Sequence, residues 1–319
     1  MTLDLRPYLK ELARGRHGAR DMTREQARTV FEAVFAGDVE ELALGALLVA
    51  LRVKNESADE LAGMLDALAP HVKPLRMPRR RALPVLIPTY NGARKLPNLV
   101  PLLALLLARE EVPVLLHGVA HEPQRVSTFE ILAQLGHAPA ATLDQAEAAI
   151  DRHHLAAVPL ALLCPALATL LDRRLTLGVR NSGHTLAKLL LPATLAPADV
   201  FRVVPVTHPD FQALMRQYFA TVPGHAFLMR GVEGEAVVRL HAPQPIEQLD
   251  AEGRLVTHLL PDCPAPQLPA REATATALWT RDVLEGRVEV PPALARQVAL
   301  LAAQARGALL ERPQLRLVK

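Results

Sequence analysis

Apolar residues recur at helical spacing through the first fifth of the chain. Ala27, Val30, Phe31, Val34 and Phe35 fall on one face of a helix. Ahead of them, Thr23-Arg-Glu-Gln26 reads as a capping box, in which the hydroxyl accepts the third amide and Gln26 reaches back. Gly37 is placed to stop that helix in a left-handed conformation. The pattern predicts a second helix over residues 39–53, with Leu42, Leu44, Leu47, Leu48 and Leu51 inward. A third opens at Ser57 and carries Leu61, Met64, Leu65 and Leu68. Residues 1–72 therefore read as a small helical bundle, of the kind that covers its remaining apolar face by dimerising.

The pattern then changes period. Residues 73–84, rich in Pro and Arg, mark a linker. Short apolar runs at 85–87 and 112–116 alternate with helical runs at 99–108 and 127–135. This alternation predicts a parallel sheet, with ligand-carrying loops after the strand ends at 88–95 and 117–126. The apolar stretch 155–171 is broken by Pro159 and Pro165 and is short for a membrane span, so it reads as a strand, a turn and a helix start. Residues 175–191 read as helix or turn. Strands follow at 201–206 and 226–229, with a helix at 210–220 between them, a loop at 230–235, a Pro-rich connection at 262–270 and an amphipathic helix at 293–310. The fold class is α/β, with a mainly parallel central sheet. A helical domain over 1–75 is joined by part of 165–200, and the α/β domain takes 76–164 and 200–319.

Composition narrows the class. In 319 residues, 50% are hydrophobic and 3% aromatic, which excludes global disorder and disfavours an all-β chain. Two cysteines, Cys164 and Cys263, make neither a disulfide framework nor a zinc knuckle and read as small buried hydrophobes. No apolar leader stands at the start of the chain, and a soluble cytoplasmic protein is expected.

The net charge of +3 matters less than its distribution. No acid occurs from residue 67 to 109, while Lys73, Arg76, Arg79, Arg80, Arg81, Arg94, Lys95 and Arg109 do. A second acid-free stretch, 173–197, holds Arg173, Arg174, Arg180 and Lys188. Cations grouped beside strand-end loops suit a nucleic-acid backbone.

The loop Thr89-Tyr-Asn-Gly-Ala-Arg-Lys95 precedes a helix, whose free amides together with Arg94 and Lys95 suit a phosphate, although no P-loop pattern is present. It reads equally as a turn with two solvated cations. In Gly178-Val-Arg-Asn-Ser-Gly-His184, Arg180 either clamps a carboxylate or phosphate or, with Asn181, fixes a helix join. His117 and His121 lack a metal-site pattern, and Ser127 with Thr128 reads as a helix cap. Glu233 and Glu235 read as a solvated acidic turn. No metal and no cofactor are expected.

The segment LLVALRVKNESADELAGM, together with 85–95, His117-Gly118, Leu177-Gly-Val-Arg180 and 230–235, resembles the anthranilate phosphoribosyltransferases of glycosyl transferase family 3. The resemblance spans essentially the whole chain. It implies the nucleoside phosphorylase and phosphoribosyltransferase fold, a helical dimerisation domain beside a large α/β domain. The enzymes' GTGGD loop for phosphoribosyl pyrophosphate reads Pro88-Thr-Tyr-Asn-Gly92 here, and their NxST segment reads Lys95-Leu-Pro-Asn98. Their KHG motif reads Leu116-His-Gly118, and their Asp-Glu magnesium pair falls at Glu235-Ala236. Arg180, which matches an arginine contacting anthranilate, is kept.

The strings IPTYNGARK, HGV, GVRNSGHTLAKL and RGVEGE are similar to the DNA-binding, YbiB-like branch of the family. That similarity implies a homodimer without transferase activity that binds DNA, with RNA as a further partner, and shows little sequence preference. Its basic groove would be lined by Arg79, Arg80, Arg81, Arg94, Lys95, Arg125, Arg180 and Lys188. A vestigial pocket would hold Thr89, Tyr90, Asn91, Gly92, His117, Gly118 and Asn181. Tyr90 is the one aromatic in a candidate loop, so base stacking is expected to contribute little. The alternative is a phosphoribosyltransferase acting on an anthranilate-like or other aromatic acceptor. A scaffold that only dimerises would leave the basic tract without a role.

Overall fold

The computed structural model describes residues 2–15, 17–78 and 81–310. Arg79 and Arg80 lie outside the described residues. The helical part opens with α1 (Arg6–Leu12), followed by α2 (Arg24–Ala36), α3 (Glu41–Lys54) and α4 (Ala58–Leu68). The capping box at Thr23 forms as predicted, and Gly37 ends α2 at φ 76°. Ser57 makes a second capping box with Glu60.

Glu60 does more than cap. Its carboxylate is buried and accepts from the amide of Met22 at 2.9 Å, the amide of Ser57 at 2.7 Å and Lys54 Nζ at 2.7 Å. One side chain thus ties the entrances of α2 and α4 to the end of α3. Helices α2 and α4 meet at Gly63, where a β-carbon would stand 2.1 Å from the Arg24 carbonyl oxygen.

The α/β part is built on β1 (Val85–Thr89), β2 (Val114–Gly118), β3 (Leu155–Pro159), β4 (Phe201–Val206), β5 (Ala226–Arg230), β6 (Gln244–Leu249) and β7 (Leu255–Leu260). Their order in the sheet is β3-β2-β1-β4-β5-β6-β7. The strands from β3 through β5 are parallel, and β6 and β7 add an antiparallel hairpin at one edge. Strands β1, β2 and β4 are buried along their whole length, which is why they read as continuous apolar runs. Strand β7 is exposed over most of its length, with Val256 and Leu259 open to solvent at the edge of the sheet.

Helices cover both faces. One layer holds α5 (Val100–Arg109), α6 (Thr128–Gln134), α12 (Ala273–Leu284) and α13 (Pro292–Leu310). The other holds α7 (Leu143–His153), α8 (Leu160–Leu163), α9 (Pro165–Leu177), α10 (Gly183–Leu189) and α11 (Pro209–Thr221), and its apolar core runs on into the helical part. The chain winds from β1 to β3 on one side and from β4 to β5 on the other. The switch therefore falls between β1 and β4, where open sheets of this kind leave a crevice at their carboxyl edge.

Three expectations need correction. Leu42 is not inward but 80% exposed, because the buried face of α3 follows Leu44, Leu47, Leu48 and Leu51. The turn expected at 88–95 starts later, since Pro88 and Thr89 still pair with β2. The β6–β7 hairpin and helices α1, α7 and α12 go beyond the elements that the pattern predicts; β6 alternates too weakly to stand out in sequence.

Gly63→Ala is expected to lower stability by about 1–3 kcal/mol through overpacking of α2 against α4, read from the midpoint of urea unfolding.

Candidate functional site

The loop after β1 meets the loop after β5 at the carboxyl edge of the sheet. Glu235 Oε1 accepts the amides of Asn91 and Gly92, both at 2.8 Å. The Glu233 carboxylate accepts those of Arg94 at 2.9 Å, Lys95 at 3.1 Å and Leu96 at 3.4 Å. Asn91 Nδ2 donates to the Gly234 carbonyl at 2.9 Å. The acidic turn reaches this position because Glu233 and Gly234 are both left-handed, at φ 53° and 87°. A β-carbon on Gly234 would stand 2.8 Å from Asn91 Nδ2.

This overturns two readings. The amides of the 89–95 loop do not wait for a phosphate, because the chain's own carboxylates take them. Glu233 and Glu235 are not a solvated turn; Glu235 is 4% exposed. Burial works against the charge of Glu233, but the three amides outweigh it and hold its carboxyl below the usual range. For Glu235 burial wins over the Thr89 hydroxyl and the two amides, and its carboxyl is pushed up.

Beneath the loop lies a buried polar layer. Tyr90 Oη and His117 Nδ1 are 2.6 Å apart, and the hydroxyls of Thr89 and Thr128 are also 2.6 Å apart. Thr89, Tyr90, Asn91, His117 and Asn181 are all buried, and Gly92 and Gly118 pack among them. Most of the expected vestigial pocket is therefore filled core, and Tyr90 is closed to base stacking. Asn181 takes the helix-join role: its Nδ2 donates to the Leu170 carbonyl at 2.7 Å and its Oδ1 accepts the Gly183 amide at 2.9 Å. Ser127 caps α6, as the sequence suggested.

The cations divide into two groups. Arg81 lies before β1, at the opposite end of the sheet, and pairs with Glu111. Arg76 pairs with Glu147 and Asp151. The acid-free tract is thus partly neutralised in space by α7 and by the turn before β2. The second group stays at the carboxyl edge. Arg94 and Lys95 are exposed, and among the described residues neither side chain forms an ion pair. Arg125 donates to the Gly92 carbonyl at 3.3 Å.

Arg180 and Lys188 line a small cleft with Pro88, Tyr90, Asn91, His184, Pro205, Thr207 and Gly234. That cleft sits over the ends of β1 and β4, at the switch point. Arg180 is exposed as a residue, yet desolvation where it lines the cleft lowers it, and the neighbouring Arg125, Arg174 and Arg52 lower it further. Burial and Arg180 bring Lys188 down to about 8. The sequence reading named Arg174 and His184 but gave them no place in the site, and it missed Arg52. Arg52 sits on an exposed position of α3, and only the packing of the helical part brings it near Arg180.

The neutral imidazoles give a pH signature. Burial lowers His117 to about 3, and burial with Arg180 and Arg174 lowers His184 to about 3. Below about pH 6.5 the unfolded chain binds protons there that the folded chain refuses, so stability is lost on acidification. Each group contributes a slope of about 1.4 kcal/mol per pH unit in that window. His117→Gln is expected to flatten the fall of unfolding free energy between pH 6.5 and 4 by about one such slope, read from urea unfolding at each pH.

Comparison with known proteins places this geometry. Residues 6–71 match the glycosyl transferase family helical bundle domain. The chain is 38% identical to YbiB of Escherichia coli (strain K12) over 299 residues, which is 93% of each protein. It is 29% identical to anthranilate phosphoribosyltransferase of Thermus thermophilus over 214 residues, 67% of this chain and 64% of that one. The crystal structure of an anthranilate phosphoribosyltransferase (TrpD) from Thermus thermophilus superposes with a TM-score of 0.73 at 26% identity, covering 96% of this chain and 90% of the other. The helical bundle, the largely parallel sheet and the near full-length likeness together show that the chain belongs to the anthranilate phosphoribosyltransferase-like family, beside YbiB.

Proposed function

We propose that this chain is a non-enzymatic homodimer that binds nucleic acid, DNA in particular, with little sequence preference. One observation carries the reading: the loop resembling the enzymes' pyrophosphate loop has its amides taken by Glu233 and Glu235, while among the described residues the side chains of Arg94, Lys95, Arg125, Arg180 and Lys188 form no ion pair. A diphosphate cannot bind those amides without displacing two carboxylates. A polyanion running over the surface can still meet Arg94, Lys95, Arg125, Arg180, Lys188 and Arg52. With Tyr90 buried, contact is to the sugar-phosphate backbone, and the affinity is set by counterion release.

The dimer face is an apolar patch on the helical part. Leu42, Val49 and Val53 line the outer side of α3, and Leu175 and Val179 are exposed near the end of α9. The ion pair between Arg173 and Glu41, at 2.7 Å, holds α9 beside α3. Two copies joined there would present two basic edges to one ligand and gain by avidity.

Replacing both Arg94 and Lys95 with Ala should weaken binding to unrelated oligonucleotides alike and reduce the slope of log affinity against log salt by about two. Fluorescence anisotropy at several salt concentrations reads both; an unchanged slope places the groove elsewhere. Phosphoribosyl pyrophosphate with magnesium should leave the melting temperature unchanged, whereas a rise would favour the transferase. Leu42→Asp with Val53→Asp should give a monomer in analytical ultracentrifugation.

A further inference from the structure

The cleft at the switch point differs from the rest of the basic edge. Arg94 and Lys95 stand in solvent, where any phosphate of a strand can reach them. Arg180, itself exposed, and the half-buried Lys188 also line a cavity of about 20 Å³ walled by Pro88, Tyr90 and Pro205. That is room for only one or two water-sized atoms. Among the described residues neither cation forms an ion pair; Glu122 acts on Arg180 and Glu235 on Lys188, and Glu235 Oε1 takes the Asn91 and Gly92 amides while its buried Oε2 has no hydrogen-bond partner. A third wall residue, His184, is 8% exposed. Its Nδ1 lies 3.2 Å from the Asn181 carbonyl oxygen, which makes Nδ1 the donor and leaves Nε2 as a bare acceptor. Nε2 is buried and has no hydrogen-bond partner.

Two cations and one lone-pair acceptor around so small a space select among phosphates. An internal phosphodiester carries a sugar on either side, offers two free oxygens rather than three, and holds no proton for an acceptor. A phosphate monoester enters oxygen-first with a single substituent behind it. As a dianion it carries two negative charges to match the two cations; as the monoanion, formed below its second ionisation near pH 6, it carries one charge and a P–OH donor that a diester lacks. We infer that the Arg180–Lys188–His184 cleft binds a terminal phosphate monoester, so that the protein distinguishes phosphorylated ends of a strand from its interior.

This inference rests on the nucleic-acid reading above and adds the feature of the ligand that is recognised.

The test compares one single-stranded sequence with a 5′-phosphate, with a 3′-phosphate and with hydroxyls at both ends, by competition anisotropy against a common labelled strand. The expected result is binding tighter by about tenfold for a phosphorylated end, from one added charge-assisted set of hydrogen bonds. That ratio should fall to one in Lys188→Met and in Arg180→Gln. Inorganic phosphate and a nucleoside 5′-monophosphate serve as competitors: each should erase the preference and raise the wild-type melting temperature but not that of Lys188→Met. An unchanged circular dichroism spectrum and a urea midpoint close to wild type, expected for Lys188→Met because the side chain is only half-buried, guard against misfolding as a cause.

Equal binding of all three strands by the wild type overturns the end-recognition inference and leaves the general nucleic-acid reading standing. Absence of binding to every strand overturns that reading. If the nucleoside monophosphate still raises the melting temperature in a Lys188-dependent way in that case, the monoester cleft survives as a site for a free phosphorylated ligand. Absence of both effects removes it as well.

Discussion

The carboxyl edge of the sheet depends on one exchange: two acidic side chains after β5 satisfy the backbone amides after β1. A strand-to-helix loop with free amides is an anion site by construction, since oriented N–H groups and a helix end favour negative charge. Here the anion is part of the chain. The exchange fixes the loop's shape, buries Glu235 and joins the two halves of the sheet across the switch point. It also leaves the side chains of Arg94 and Lys95 on the outside, because their backbones are turned inward to Glu233. A scaffold shared with transferases thus has these loop amides taken by its own carboxylates, while the side chains beside them stay in solvent.

Much of the helical part was legible in the sequence. Thr23 and Ser57 sit where a hydroxyl can cap, and their partners lie three residues on, so the signal is local. The parallel strands were legible for a related reason: burial on both faces turns β1, β2 and β4 into plain apolar runs. Glu60 was not legible as a clamp, because Met22 and Lys54 reach it only through the packing of three helices. The β6–β7 hairpin escaped because its strands are half exposed and mix Gln, Glu and His with Leu and Val.

The site was less legible than the fold, and charge shows why. A run without acids looked like one basic surface, yet Arg76 and Arg81 find acids supplied by distant segments. Linear charge patterning reports neutralisation only within a few residues, whereas ion pairs form across tens. The alternating Glu233 and Glu235 looked solvated for the same reason, since their partners lie about 140 positions earlier in the chain. Arg94 and Lys95 stand at the carboxyl edge because the loop after β1 lies there, whereas Arg180 and Lys188 reach it from the turn after α9 and from α10.

The strand order has a consequence for synthesis. The β1 edge that borders the switch point is covered only by β4, more than a hundred residues downstream. At ribosomal rates of about 5–20 residues per second, that edge stands open for roughly 5–20 s after β1 has emerged. Strands β2 and β3 can pair on the other side meanwhile, so the nascent chain carries a half-sheet with one apolar flank unpaired. The crevice at the switch point is the last part of the parallel sheet's centre to take shape, and its assembly, unlike that of the capped helices, waits on translation.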